Sequence, residues 1–149
     1  MSYRKMRLAS TALLVLAIMS AASAWAQNVR LSARKNKIIN GIEAQLRGDF
    51  RANPNPSRLN AELENINIPV GTKVAFCLLQ NGVKSLVGVG KVTLVGGIPT
   101  ASVELNVNDG DVVPNVSAGD VLQARQRKVA PFKASPTCGT ALLVSAAFQ

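Results

Sequence analysis

The sequence contains no histidine. That removes the usual general base of a serine hydrolase and the imidazole on which many zinc and copper centres rely. Aromatic residues are also scarce: one Trp, one Tyr and four Phe in 149 residues. Trp25 and Tyr3 both belong to the N-terminal segment, so Phe50, Phe76, Phe132 and Phe148 are the only rings beyond it. Those are too few for the platforms of carbohydrate sites or for base stacking along single-stranded nucleic acid. No Gly-rich loop ending in Lys-Ser or Lys-Thr is present to cradle phosphate, and the two cysteines are far from C-x-x-C spacing. Past the N-terminus there is no second long apolar run.

The N-terminus itself has the three parts of a secretory leader. Arg4, Lys5 and Arg7 form a positive region, 8–19 an apolar stretch, and 20–26 a run of small residues broken by Trp25. Ala24 and Ala26 stand at A-x-A spacing, which predicts cleavage before Gln27, with a cut after Ala24 as second choice. A membrane-spanning helix needs about 20 apolar residues, and this stretch falls short. The expected product is one exported domain, residues 27–149, periplasmic or secreted and without a transmembrane segment.

Three of the 17 Lys+Arg leave with the leader, and 14 remain against eight acids, so the mature domain is basic. The cations are dispersed, with two local concentrations: Arg34, Lys35 and Lys37, and Arg125, Arg127 and Lys128. Dispersed charge of this kind is ordinary for a surface, and it also favours contact with anionic surfaces. Cys77 and Cys138 survive processing. An even pair in an exported protein predicts a disulfide, and closing that loop stabilises the fold by roughly 4 kcal/mol in the chain-entropy picture.

Short alternating runs recur along the chain: 29–33, 42–50, 59–63, 73–79, 86–95, 101–107, 121–125 and 141–148. The 73–79 run is apolar on both faces, as a central strand covered on each side should be. In 101–107, Ala101, Val103, Leu105 and Val107 are expected inside, with Ser102, Glu104 and Asn106 outside. Turn residues separate the runs: Asn53-Pro54-Asn55-Pro56, Pro69-Val70-Gly71, Asn81-Gly82, and Gly96-Gly97-Ile98-Pro99. The glycines of 86–95 predict a bend or bulge, and 128–139 reads as a long loop. About eight short strands without helical crossovers predict an all-β fold, a single β-sandwich of Ig-like or jelly-roll-like kind, with a small β-barrel as the alternative.

Few side chains remain for chemistry. Glu62 and Glu64 alternate onto one strand face, and a glycosidase needs paired carboxylates, but such a pair is ordinarily solvated surface. Asn106, Asn108, Asp109 and Asp111 around Gly110 resemble part of a calcium loop, yet the ligand set an EF-hand requires is incomplete, so the stretch reads as an Asp-Gly turn. No catalytic, cofactor or metal site is expected, and the domain reads as a non-enzyme.

Several stretches resemble a group of uncharacterised exported bacterial β-sandwich proteins: Asn65-Ile66-Asn67-Ile68-Pro69-Val70-Gly71-Thr72, Val103-Glu104-Leu105-Asn106, Asp109-Gly110-Asp111-Val112-Val113-Pro114-Asn115-Val116, and Ala118-Gly119-Asp120. The resemblance implies an exported sandwich and brings no site residues with it. The expected function is a structural or protein-interaction module of the envelope or secretome, with an envelope protein or anionic surface as partner and no specific nucleic acid. Two other functions are a binding protein for anionic glycans or lipids, through the two cationic concentrations, and a hydrolase working through Glu62, Glu64 or Asp109.

Overall fold

Two antiparallel sheets lie face to face in the computed structural model, which describes residues 28–52, 57–127, 138–139 and 141–149. The leader with Ala24, Ala26 and Gln27, the Pro54–Pro56 break, Lys128 and Phe132 lie outside the described residues. The first sheet runs β1 (Val29–Ile39), β2 (Ile42–Ala52), β3 (Arg58–Glu64), β7 (Ile98–Asn106) and β6 (Thr93–Val95), in that spatial order. The second runs β5 (Val83–Lys91), β4 (Lys73–Gln80), β8 (Val121–Gln126) and β9 (Ala141–Ala147). The expected β-sandwich is therefore the fold, and the barrel alternative is not, because the sheets remain two separate ladders.

The core between the sheets is built by alternation. Ala44, Leu46 and Phe50 of β2, Leu59, Ala61 and Leu63 of β3, and Val74, Phe76 and Leu78 of β4 are all buried in it. Phe148, just past β9, joins them. Burying the leucine, valine and phenylalanine side chains among these contributes about 1.5–3 kcal/mol each, which is why a period of two holds across most strands.

Strand boundaries differ from the expectation in three places. First, β1 runs on to Ile39 and turns back at Asn40-Gly41, where φ is +50° and +81°. Asn81-Gly82 makes the same kind of turn between β4 and β5, as expected. Second, the 86–95 run is two strands in two sheets, so there are nine strands rather than eight among the described residues. Buried Val92 is the crossing point: its N–H donates to the Thr72 carbonyl (2.9 Å) and its own carbonyl accepts from Gly71 N–H (2.8 Å). The glycines act here by absence of bulk, since a Cβ on Gly90 would sit 2.6 Å from the Ser102 carbonyl oxygen of β7. The expected bulge is present, with Phe76 opposite Gly88 and Cys77 opposite Leu86. Third, Ile98 and Pro99 lie inside β7 rather than in the turn.

At the end of β7 the alternation inverts. Asn106 is nearly buried and Val107 is exposed, because the chain enters a single 3-10 turn, Val107–Asp109. Asn106 Oδ1 accepts from Asn108 N–H (3.0 Å), and Asp111 Oδ2 accepts from Asn106 N–H (2.9 Å). The calcium-like stretch is thus the turn its Asp-Gly implied, with Gly110 at φ +86°.

Candidate functional site

With the inner faces filled by core, the described strands carry most of their polar side chains on the two outer faces, and these differ in charge. On the five-stranded sheet the outward positions of β1, β2, β3 and β7 face one another in register. Arg34 lies opposite Arg47, which lies opposite Glu62. Ser32 lies opposite Asp49, followed by Asn60 and Glu104. Arg30, Arg51 and Arg58 form an in-register row of one sign; elsewhere on this face both signs are interspersed, and ion pairs link Arg47 Nη2 to Glu64 Oε2 (3.3 Å) and Arg58 Nε to Glu104 Oε1 (3.5 Å). A shallow depression of about 310 Å³ on this face is lined by Arg34, Asp49, Arg51, Arg58, Asn60 and Glu104.

The outer face of the four-stranded sheet carries one sign. Lys73 is directly opposite Lys91 on one side. On the other, Arg127 N–H donates to the Lys73 carbonyl (3.0 Å), which completes a row Lys91–Lys73–Arg127 across three chain segments. The next row is Val89, Ala75 and Arg125; the third is Leu86, Cys77 and Gln123; the fourth is Lys84, Leu79 and Val121. Like charges placed directly opposite one another are destabilising, and no carboxylate on this face offsets them among the described residues. Of the eight acids in the chain, Glu43, Asp49, Glu62, Glu64 and Glu104 point out from the five-stranded sheet. Asp109 and Asp111 belong to the turn after β7. Asp120, at the far end of β8 from the cationic row, accepts from Ser117 N–H and Gln80 Nε2, both at 2.7 Å.

Cys77 and Cys138 are bonded, with Cα atoms 5.8 Å apart and a sequence separation of 61. Cys77 is fully buried, yet it alternates away from the core residues Phe76 and Leu78. The disulfide therefore pins Cys138 against the outer, basic face. Arg125 strengthens the same attachment: its Nε donates to the Gly139 carbonyl (3.2 Å) and its Nη1 to Gln123 Oε1 (3.0 Å).

Of the six cations singled out in the sequence, the five described ones are divided among three surfaces. Arg34 faces outward on the five-stranded sheet beside Arg47. Lys35 and Lys37 have the opposite parity on β1, and Lys37 Nζ donates to the Leu143 carbonyl of β9 (2.8 Å). Arg34 and Lys35 also line a groove of about 610 Å³ between β1 and β9, together with Ser32, Ser145 and Gln149. Arg125 and Arg127 lie on the four-stranded sheet, and Lys128 is outside the described residues. Lys73, Lys84 and Lys91 join Arg125 and Arg127, and sequence reasoning passed over them because each is an isolated lysine at or near a strand end.

Glu62 and Glu64 do share a face, but both project from one strand rather than opposing each other across a cleft. Partial burial raises the Glu62 pKa, and the neighbouring Glu64 charge and a hydrogen bond between the two carboxyls raise it further; Arg47 counters in part. Asp109 is exposed in its turn, away from both. Among the described residues, no cluster of three or more acidic or cysteine side chains is arranged to hold a metal ion. No helix among them is long and apolar enough to cross a membrane.

Fold and surface together define a two-sheet antiparallel sandwich with a cystine on one outer face and, among the described residues, the strand-borne carboxylates confined to the other. The chain matches no family model, no curated protein and no solved structure.

Proposed function

We propose that the chain is an exported, non-catalytic interaction module of the cell envelope or secretome, and that it docks on an anionic partner through the outer face of its four-stranded sheet. The observation that carries this reading is the in-register row Lys91–Lys73–Arg127, which retains repulsion that a single acidic neighbour would relieve. Surfaces selected for solubility alone intersperse the two signs; the other sheet has its own in-register row, Arg30–Arg51–Arg58, but five carboxylates share that face and one of them, Glu104, pairs with Arg58. The disulfide supports the export half, because such bonds persist in oxidising compartments, and the N-terminal leader pattern agrees with it.

Cell fractionation tests the reading. The native protein is expected with the envelope, released as salt is raised, since exposed charge pairs are screened. Lys73→Glu with Lys91→Glu should move it to the unbound fraction, whereas Arg30→Glu with Arg51→Glu on the other sheet should not. Recovery of the native protein in the unbound fraction at low salt would contradict the reading.

A further inference from the structure

We infer that the depression on the outer face of the five-stranded sheet binds a carboxylate-bearing glycan, at a second site independent of the docking role proposed above. Its base is the in-register row Ser32–Asp49–Asn60–Glu104, which crosses four strands. Strands lie about 4.8 Å apart, so the row is about 14 Å long. Arginines stand about 7 Å to either side of it, two residues along each strand. Arg34 and Arg47 form one bank, and Arg30, Arg51 and Arg58 the other. Long side chains thus flank short ones, and Arg34, Arg51 and Arg58 line the depression of about 310 Å³ together with Asp49, Asn60 and Glu104.

Three observations select the ligand. First, every cation on these banks is an arginine, whereas the row on the other sheet is Lys91–Lys73–Arg127. An arginine fork grips a carboxylate through two parallel hydrogen bonds, and a lysine offers only a point charge. Arg47 and Arg58 are engaged by Glu64 and Glu104, but Arg30, Arg34 and Arg51 have no ion-pair partner among the described residues. Second, Asp49 and Asn60 are half-buried and make no side-chain hydrogen bond to another described residue. Ionised Asp49 only accepts, so it suits a hydroxyl donor, and Asn60 both donates and accepts. A polyphosphate or a run of acidic side chains brings negative charge onto Asp49 without hydroxyls to satisfy it; an acidic sugar chain brings carboxylates for the banks and hydroxyls for the base. Third, neither the base nor its banks carry an aromatic or apolar side chain. A neutral sugar would find no ring to stack on, so charge has to supply the hold. The length of the row suits an extended chain of sugars rather than a single small molecule.

Calorimetric titration of the protein recovered from its cells tests this, with polygalacturonate, neutral dextran and polyglutamate as probes. Salt is held at about 0.15 M, where attraction between dispersed exposed charges is largely screened. Binding to polygalacturonate and none to dextran is expected. Arg34→Lys with Arg51→Lys keeps the charge and removes both forks; it should weaken binding roughly tenfold, the scale of one charge-assisted hydrogen bond. Asp49→Ala separates the glycan from a generic polyanion. It makes the face more positive, so attraction for a polyanion would strengthen, whereas loss of the hydroxyl acceptor should weaken binding roughly tenfold. If that variant melts early, Asn60→Ala supplies the answer, with a loss of about threefold to tenfold expected. Lys73→Gln with Lys91→Gln on the other sheet should change binding by no more than about twofold. Tighter binding by Asp49→Ala, no loss in Asn60→Ala, or no binding to polygalacturonate would overturn the assignment. Polyglutamate bound as tightly, and lost with the same two arginines, would overturn it too. Loss in the Lys73 and Lys91 variant alone would move the glycan to the other sheet and strike this site. The fractionation described above reads the opposite face, so its failure removes the docking role and leaves this site standing.

Discussion

On β1 a one-residue step changes what a cation does. Arg34 points outward into a mixed-charge face, while Lys35 and Lys37 have the parity of Ala33 and Ile39, which are buried. Because β1 is the edge of its sheet, these lysines emerge beside the sandwich, and Lys37 reaches the Leu143 carbonyl on the edge strand β9. Inward-pointing charges on an edge strand deter pairing with a second molecule, and part of this edge is already closed by Ser32, which exchanges both backbone hydrogen bonds with Gln149 (3.0 and 2.9 Å). Glu62 illustrates the opposite pressure. Burial and Glu64 hold its pKa above the ordinary carboxylate range, so the folded state keeps that proton to higher pH than the unfolded chain does. Sign follows from linkage: this group's contribution to stability is best below the unfolded pKa and declines as pH rises through the raised folded value. Glu62→Gln is therefore expected to raise stability at neutral pH by a few tenths of a kcal/mol, roughly the scale of one unfavourable cross-strand pair. The substitution should also flatten the pH dependence in that window. Denaturant melts of both proteins across acid to neutral pH check it.

Among the elements, legibility in the sequence tracked how many constraints each strand satisfied. β4 was readable as a central strand because both its faces are apolar, and both are covered: Phe76 by core, Cys77 by Cys138. The second half of β1 was hidden because Arg34, Lys35, Asn36 and Lys37 erase the alternation that an interior strand must keep. The Asn40-Gly41 turn carries the same signal as Asn81-Gly82, but it acquires meaning only once a strand is recognised before it. The 86–95 run has an unbroken β pattern, and its division depends on the Gly71–Val92–Thr72 hydrogen bonds, which are contacts distant in sequence. The cystine belongs to this scale too. It ties the segment entering β9 onto the face of β4, so reduction, or Cys77→Ser with Cys138→Ser, should cost roughly 2–4 kcal/mol. Equilibrium unfolding with and without reductant measures that loss, and intact mass after alkylation should report both thiols only in the reduced protein.

For the whole molecule, the organising fact is that its two outer faces carry different charge patterns. Composition announced a basic domain and its size announced one core, and both follow from counting residues. The confinement of the strand-borne carboxylates to one face could not be counted. Lys73, Lys91 and Arg127 are 18 or more positions apart, and they meet only because β4 pairs with β5 on one side and β8 on the other. The linear clusters that stood out, Arg34-Lys35-Asn36-Lys37 above all, are divided by strand parity between opposite sides of one edge strand. A polar face was therefore predictable from sequence, whereas the sign of each face required the register.

Lysine reactivity tests the central claim most directly. The protein is treated with an amine-modifying reagent in isolation and again on its native envelope fraction, and the modification of each lysine is read by mass. The docking face predicts that Lys73, Lys84 and Lys91 become shielded while Lys35 reacts equally in both samples. Shielding of Lys35 with Lys73 and Lys91 left open, or no change at any lysine, would contradict it.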